Sequence, residues 1–266
     1  MSLVVIKLSG KVINDFEALV SLLQVLNEWQ LKFDKQLVLV HGGGSLCDKW
    51  SQAFELEVAK WNGIPVKPKN QLPIIIGALA GYSHTQVMSA SKEAGLKSVS
   101  VTPATGEVLT CKLHPKASEL GRVGTVSPGN PELILQLIHQ KYTPIFHSIG
   151  LSQDGECLNI NSDDVATQLA LTLNAEELIL LSDIEGIFNE KGNLIKSIDA
   201  NKVDELKPSS FVSDGMIAKL HSLAKVSNSS VSNIAITSAA NHKKLLQVLN
   251  GGSACTRIIS ASKEGM

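Results

Sequence analysis

An α/β architecture on a mostly parallel sheet is what the sequence predicts, and three observations predict it. Short apolar runs recur along the whole chain, amphipathic helical patterns lie between them, and three strand-to-loop junctions carry glycine. A run that is apolar at nearly every position, not at alternate ones, reads as a strand with both faces covered. Strands alternating with helices over the full length then argue for crossover connections and parallel neighbours.

The first run is residues 3–8. Behind it, Phe16, Leu19, Leu23 and Leu26 are spaced to share one face of a helix. Residues 37–40 form the second run, which enters His41-Gly42-Gly43-Gly44 and then a helix from near Ser45. Residues 98–101 and 144–146 are the third and fourth. Val165, Leu169 and Leu173 repeat every four residues behind Asp163 and Asp164, whose carboxylates suit the positive end of a helix dipole. Residues 178–181 and 234–236 complete the set. Between Pro103 and Pro128 the pattern changes, with Gly106, Gly121 and Gly124 separating short alternating pieces. That predicts hairpins on the sheet edge in place of crossover helices. Turn residues at 152–156 and 189–193 predict a further hairpin and a further turn. Two domains, if present, share one continuous sheet and divide near Leu173, into residues 1–173 and 174–266.

Composition bounds the function. The 266 residues are 44% hydrophobic and 18% charged, enough to bury a core without disulfides or structural metal, and too apolar for a disordered chain. Lys+Arg 24 against Asp+Glu 25 leaves a net charge of -1, which argues against nucleic acid or a membrane surface as partner. Cys47, Cys111, Cys157 and Cys255 form no CxxC pair and read as reduced thiols. The opening residues lack a signal-peptide core, and no apolar stretch approaches the ~20 residues that span a bilayer, so cytoplasm is the expected location.

Ligands of open parallel sheets bind at the carboxyl ends of the strands, where all three glycine junctions fall. Lys7-Leu8-Ser9-Gly10-Lys11 puts a lysine there. His41-Gly42-Gly43-Gly44 at a helix entrance leaves backbone N–H groups free to converge on an anion. The third junction, Ser182-Asp183-Ile184-Glu185-Gly186-Ile187, taken alone reads better as a plain turn. Neither GxxxxGK[ST] nor GxGxxG is present, and GxSxG and HExxH are also missing. Asn159, Asn161 and Asp163 alternate ahead of a helix, either to cap it or to meet a ligand. Lys219 sits in the first turns of a later helix, where a lysine is ordinarily solvated. Brought together, Lys7, Asp163 and Lys219 would suit a transferring phosphoryl group, which needs positioning and charge neutralisation more than covalent help.

Six motifs in register carry a family resemblance over essentially the whole chain. They are Lys-Leu-Ser-Gly at 7–10, His-Gly-Gly-Gly at 41–44, Gly-Ala-Leu-Ala-Gly at 77–81, Asn-Ile-Asn-Ser-Asp at 159–163, Leu-Leu-Ser-Asp-Ile-Glu-Gly-Ile at 180–187 and Ser-Asp-Gly-Met-Ile-Ala-Lys at 213–219. Their order and spacing resemble the amino-acid kinase superfamily, and within it the N-acetylglutamate kinases of bacterial arginine synthesis. The resemblance implies a three-layer αβα sandwich and a homodimer formed through the N-terminal half. That half would bind the acyl amino acid, and the C-terminal half ATP with Mg²⁺; the product would be N-acetylglutamyl 5-phosphate. It further implies that Lys7 and Lys219 stabilise the phosphoryl group and that Asp163 orients them. Gly10, Gly43 and Gly44 would hold phosphoryl oxygens, with Gly43, Gly44 and Asn159 facing the substrate. Asp183, Ile184, Glu185, Gly186, Ile187 and Phe188, with Phe211, Val212 and Ser213, would surround the nucleotide. No protein metal site is implied, since Mg²⁺ rides on phosphates and water.

Departures from the family pattern bear on the substrate. Ser9 replaces a glycine, and Cys255 stands before Thr256-Arg257 where the family has glycine. The family's Asn-Gly-x-Arg-x-Thr reads Asn62-Gly63-Ile64-Pro65-Val66-Lys67, so Pro65 occupies the place of an arginine that grips the substrate α-carboxylate. Losing such a clamp costs on the order of 2–4 kcal/mol unless another cation replaces it. Lys67, two residues on along an extended segment, shares that side, and Lys60 is also near. Three functions therefore stay open: an N-acetylglutamate kinase, a paralogue for another acyl amino acid or acidic metabolite, and a nucleotide-binding regulator without turnover.

Overall fold

The structure is a computed structural model that describes residues 2–56, 59–61, 64–205, 214–227, 229 and 231–259. Strand β1 (Leu3–Lys7) leads through α1 (Gly10–Ile13) and α2 (Phe16–Phe33) to β2 (Gln36–Val40). Helix α3 (Leu46–Ala53) precedes a short hairpin, β3 (Lys60–Trp61) and β4 (Ile64–Pro65). Helix α4 (Leu72–Ile76) runs through a π-helical stretch (Gly77–Ser83) into α5 (His84–Glu93), followed by β5 (Ser98–Val101). The middle holds β6 (Leu109–Leu113), α6 (Ala117–Leu120), β7 (Val123–Pro128), α7 (Glu132–His139), β8 (Thr143–Phe146), β9 (Ile149–Leu151) and β10 (Cys157–Ile160). Then come α8 (Ser162–Thr172), β11 (Glu177–Ser182), β12 (Ser197–Asp199), α9 (Asp214–Ala224), β13 (Asn233–Ser238), α10 (His242–Leu249) and β14 (Thr256–Ile259).

All six apolar runs are strands of one eight-stranded sheet, in the order β12-β14-β13-β11-β1-β2-β8-β5. Every pair is parallel except β13 with β14. β1, β2 and β11 are buried at every position. The cause is a helical layer on each face. Val4, Ile6, Leu37 and Leu39 pack with α2, α5 and α10, whereas Leu3, Val5, Val38 and Val40 pack with α7, α8 and α9. Leu19, Leu23 and Leu26 of α2 are fully buried, as their spacing requires. Asp15 starts that helix by accepting the Ala18 N–H, and Asp34 ends it in the left-handed conformation. Lys7 lies opposite Val40 on one side and Leu180 on the other, so the carboxyl ends of three strands share one rim. Because β1 pairs with β11, the sheet runs unbroken across position 173.

The hairpins expected on the sheet edge form a separate sheet instead, in the order β6-β7-β10-β9. β6 has a buried inner face and an open outer one, unlike the central strands. Its inward residues Leu109 and Cys111 join Leu158 and Ile160 of β10 against Val165 and Leu169 of α8. This second sheet therefore closes over α8 and does not extend the first. The turn at 152–156 does close a hairpin, β9 with β10, with Gly155 at φ 77°. The turn at 189–193 brings Phe188 opposite Leu194. No described helix is long and apolar enough to cross a membrane.

Candidate active site

Two loops leave the neighbouring strands β1 and β2 and meet backbone to backbone. A Cβ built on Gly10 would stand 3.1 Å from the Gly44 Cα, and Gly44 itself has φ +56°. Any side chain at either position would push the loops apart. Ser9, by contrast, sits in an extended conformation (φ -72°) that any residue adopts, and its Oγ accepts the Val12 N–H at 3.3 Å as the cap of α1. The departure from glycine at Ser9 is thus structurally neutral. Cys47 Sγ fills the space beside Gly43, and Ser162 Oγ lies against Gly42.

The charged groups converge on the same rim. Lys7 ends β1, Asp163 opens α8, and the two residues are only 8% and 6% exposed. Lys7 Nζ lies 2.9 Å from Asp163 Oδ1, and Lys219 Nζ, from α9, lies 4.0 Å from Oδ2. Among the described residues Oδ1 has no aligned hydrogen bond, so its contact with Lys7 is coulombic. Asn161 is the cap of α8 and accepts the Asp163 N–H at 3.0 Å, so of the alternating trio it is the structural member. Asp164 ties α9 down: Ser222 Oγ donates to it at 2.8 Å, and Lys225 Nζ stands at 3.9 Å. Adjacent carboxylates on one helix turn thus hold, respectively, the two lysines and the helix that supplies the second lysine.

Beside Gly10 opens a cavity of about 520 Å³, lined by Ser9, Lys11, Asn14, Asp183, Ser238 and His242 among others. Of the stretch expected around a nucleotide, Asp183 faces this cavity and Ile184 is exposed nearby. The residues after them brace the loop. Glu185 takes both carboxylate oxygens to Lys244 Nζ, at 2.6 and 2.7 Å. Ile187 donates its N–H to Thr256 Oγ1 at 2.8 Å, and Gly186 packs against the same Thr256. Phe188 is held in its hairpin pairing with Leu194. Phe211, Val212 and Ser213 lie outside the described residues, as do Asn62 and Gly63. Sequence reasoning missed Lys11, Ser238 and His242. The signal was there for Ser238, which ends another strand of the rim.

On the opposite side of the glycine loops, three backbones run side by side. Asn159 N–H donates to the Arg122 carbonyl at 2.9 Å, and Arg122 N–H donates to the Lys67 carbonyl at 2.7 Å. Lys67 is half-buried, and its charge reaches the Cys47 thiol. Burial pushes that thiol up to about 11, Lys67 draws it back, and Asp48 adds to the rise. Cys47 Sγ abuts Gly43, so the Lys67 charge is felt at a side chain of the glycine loop. Pro65 is exposed on the β3–β4 hairpin, paired with Lys60, which is also exposed. Arg122, which sequence reasoning also missed, is engaged by Glu156 through both Nη atoms, with Nη2 to Oε1 at 2.8 Å.

The rim therefore offers two lysines around a buried carboxylate, glycine backbones without side chains, and a cavity on one side with Lys67 and the paired Arg122 on the other. Comparisons with known proteins point the same way. Residues 2–238 match the model of the amino acid kinase family. The chain is 36% identical over 260 residues to the acetylglutamate kinases of Proteus mirabilis and Sodalis glossinidius, covering 98% of this chain and all of each relative. Among solved structures it superposes on smu.665 from Streptococcus mutans with a TM-score of 0.78 at 29% identity, covering 88% of this chain and 94% of that one. It shares its fold with the carbamate kinase from Giardia lamblia bound to AMP-PNP, at a TM-score of 0.71 and 16% identity, covering 97% and 98% of the two chains. The chain belongs to the amino acid kinase family.

Proposed function

We propose that this protein transfers the γ-phosphoryl group of ATP to the side-chain carboxylate of N-acetyl-L-glutamate, giving ADP and N-acetylglutamyl 5-phosphate in arginine biosynthesis. The observation that carries the reading is the Lys7–Asp163–Lys219 cluster on the rim where the two glycine loops touch. The near-full-length likeness to acetylglutamate kinases supports the acceptor. ATP supplies a phosphoanhydride whose terminal phosphorus is the electrophile. In the transfer, a carboxylate oxygen of the acceptor forms a bond to that phosphorus while the bond to the bridging oxygen breaks. Negative charge then spreads over the equatorial and leaving oxygens, and fixed donors aimed there lower the barrier. Lys7 and Lys219 are those cations, and Asp163 holds both while keeping the local charge balanced. The backbone N–H groups of Gly10, Gly43 and Gly44 add donors that carry no side chain of their own.

The cavity beside Gly10 offers Lys11 and the polar side chains of Ser9, Asn14, Ser182 and Ser238 to a triphosphate in a wall that is otherwise largely apolar, with Asp183 also at its wall. Its walls come from both sides of position 173, from Ser9 to Ser21 and from Ser182 to His242. In this reading, residues 1–173 bind the acceptor and form a homodimer, whereas residues 174–266 supply most nucleotide contacts, including Phe211, Val212 and Ser213. Mg²⁺ would be held mainly by phosphate oxygens and water, as its hydration chemistry favours. The enzyme would work in the cytoplasm.

Lys67 takes over from the missing arginine. Its backbone is one strand removed from Asn159, across Arg122, its charge is felt at Cys47 beside Gly43, and among the described residues no carboxylate pairs with it. Lys67→Met is expected to raise the KM for N-acetylglutamate by about tenfold or more, with the KM for ATP within about twofold. An unchanged acceptor KM would remove Lys67 from the site. The exposed, uncharged Pro65 favours one second reading, a paralogue for a different acid. A coupled ADP-release assay with N-acetylglutamate, glutamate, aspartate and carbamate separates the possibilities. Turnover on another acceptor alone would select the paralogue, and ATP binding without ADP from any acceptor would leave only a regulator.

A further inference from the structure

Three buried histidines stand behind the glycine loop, unused by the chemistry above. His41 precedes Gly42, His84 begins α5 and His147 follows β8; their exposures are 0%, 6% and 7%. His41 Nδ1 lies 2.9 Å from the Gly42 carbonyl oxygen. His41 Nε2 lies 2.8 Å from His84 Nδ1, and His84 Nε2 lies 2.6 Å from Ser100 Oγ. Burial pushes His41 down to about 3 and His84 and His147 down to about 4, so near neutral pH each ring has one donor and one acceptor nitrogen.

Neutral rings give the chain a direction. A carbonyl oxygen can only accept, so Nδ1 of His41 carries the proton. Its Nε2 is then an acceptor and takes the His84 Nδ1–H. His84 Nε2 is left as acceptor for the Ser100 hydroxyl. His147 stands edge-on to His84, with centroids 5.0 Å apart, and its Nδ1 accepts the Ile149 N–H at 3.1 Å. It packs against the chain without joining it.

The last bond of the chain reaches the reaction. A peptide unit is planar and trans, so the Gly42 carbonyl and the Gly43 N–H point in opposite directions from one rigid plate. Holding the carbonyl against His41 helps set where the Gly43 N–H aims, in a run of three glycines whose backbone angles are intrinsically free. Both ends hold this tautomer, since the carbonyl accepts from Nδ1 and His84 donates to Nε2. Without the His84 donor, Nε2 becomes a buried acceptor with no partner, which favours a ring that turns from the carbonyl with its proton on Nε2 and so releases the plate.

We propose that His84 is a positioning residue of the phosphoryl-transfer site, fixing the tautomer of His41 and through it the direction of the Gly43 N–H. This rests on Gly43 as a phosphate ligand in the function proposed above. Three variants test it. His84→Leu removes the donor, His84→Gln carries its amide at the outer nitrogen's place and also lacks the inner donor, and His84→Asn keeps an N–H where Nδ1 was. Long-range ¹H–¹⁵N NMR of histidine-labelled protein should show His41 protonated on Nδ1 in the wild type and in His84→Asn. In His84→Leu and His84→Gln the proton should move to Nε2. The Gly43 amide resonance should respond to AMP-PNP with Mg²⁺ in the first pair and lose that response in the second. Turnover should fall by about 100-fold in the second pair, with the KM for ATP nearly unchanged and His84→Asn restored to within a few-fold. An unmoved His41 tautomer, or His84→Asn as slow as His84→Leu, would overturn the proposal. Wild-type protein that turns over no acceptor yet keeps the tautomer and Gly43 responses would count against the acceptor assignment and for His84.

Discussion

Replacing Lys7 by methionine is expected to lower kcat by about 10²–10³-fold, with a much smaller change in the KM for ATP. The size follows from its place. Its ammonium is nearly buried on the rim, within 2.9 Å of Asp163, where water screens little of its charge. A cation so placed acts on charge that develops in the transition state, which puts the loss in kcat and not in binding. The same substitution should also cost stability. Among the described residues Asp163 would keep only Lys219, at 4.0 Å, as an ion-pair partner, and breaking a buried pair by removing one partner costs about 3–5 kcal/mol. For a chain of this length that corresponds to a melting temperature lower by on the order of 10 °C. The double variant Lys7→Met/Asp163→Asn should recover most of the stability and none of the activity. Thermal melts beside steady-state kinetics of the three proteins check this; wild-type kcat in Lys7→Met would remove Lys7 from the reaction.

Acid lability is the second large effect expected, and it comes from the histidine cluster. His41, His84 and His147 have folded pKa values of about 3, 4 and 4, pushed down first of all by burial. The charges of His84, His147 and Lys7 add to the lowering at His41, against its bond to the Gly42 carbonyl, and the charge of His84 adds to it at His147. Unfolded, each ring titrates near about 6.5. The unfolded chain therefore binds more protons between those values, and stability rises with pH there. The contribution is complete above about pH 6.5 and is lost as pH falls toward the folded values. Each ring contributes a slope of about 1.4 kcal/mol per pH unit, so the three together contribute about 4. Buried Glu177 works in the opposite sense, since desolvation holds its folded carboxyl above the usual range. Urea unfolding across about pH 5–7 should show the steep loss, and His84→Leu should flatten the slope by about a third. A stability independent of pH over that window would contradict the neutral, buried cluster.

The central sheet was legible because its strands are apolar at nearly every position, a pattern that only two-sided burial explains. Lys7, Asp163 and Lys219 were legible as a set only because each falls near a strand end or helix start on one rim, and because six motifs keep a family's order. Lys219 alone has nothing to distinguish it from a solvated helix lysine. The second sheet was read as hairpins but misplaced, because an alternating strand announces one covered face without naming what covers it. Here the partner is α8. Arg122 and His84 were silent for a related reason. His84 meets His41 across 43 residues, and Arg122 meets Glu156 across 34, with no periodicity to connect either pair. Pro65 was legible as a loss, whereas the placing of Lys67 one strand from Asn159 needed the backbone pairing of Lys67, Arg122 and Asn159.

The most direct test is chemical capture of the product. With ATP, Mg²⁺ and N-acetyl-L-glutamate, hydroxylamine should trap an acyl phosphate as the 5-hydroxamate of N-acetylglutamate, one per ADP released, and Lys7→Met should yield almost none. Detection of the α-hydroxamate, or ADP release with no hydroxamate at all, would contradict transfer to the side-chain carboxylate.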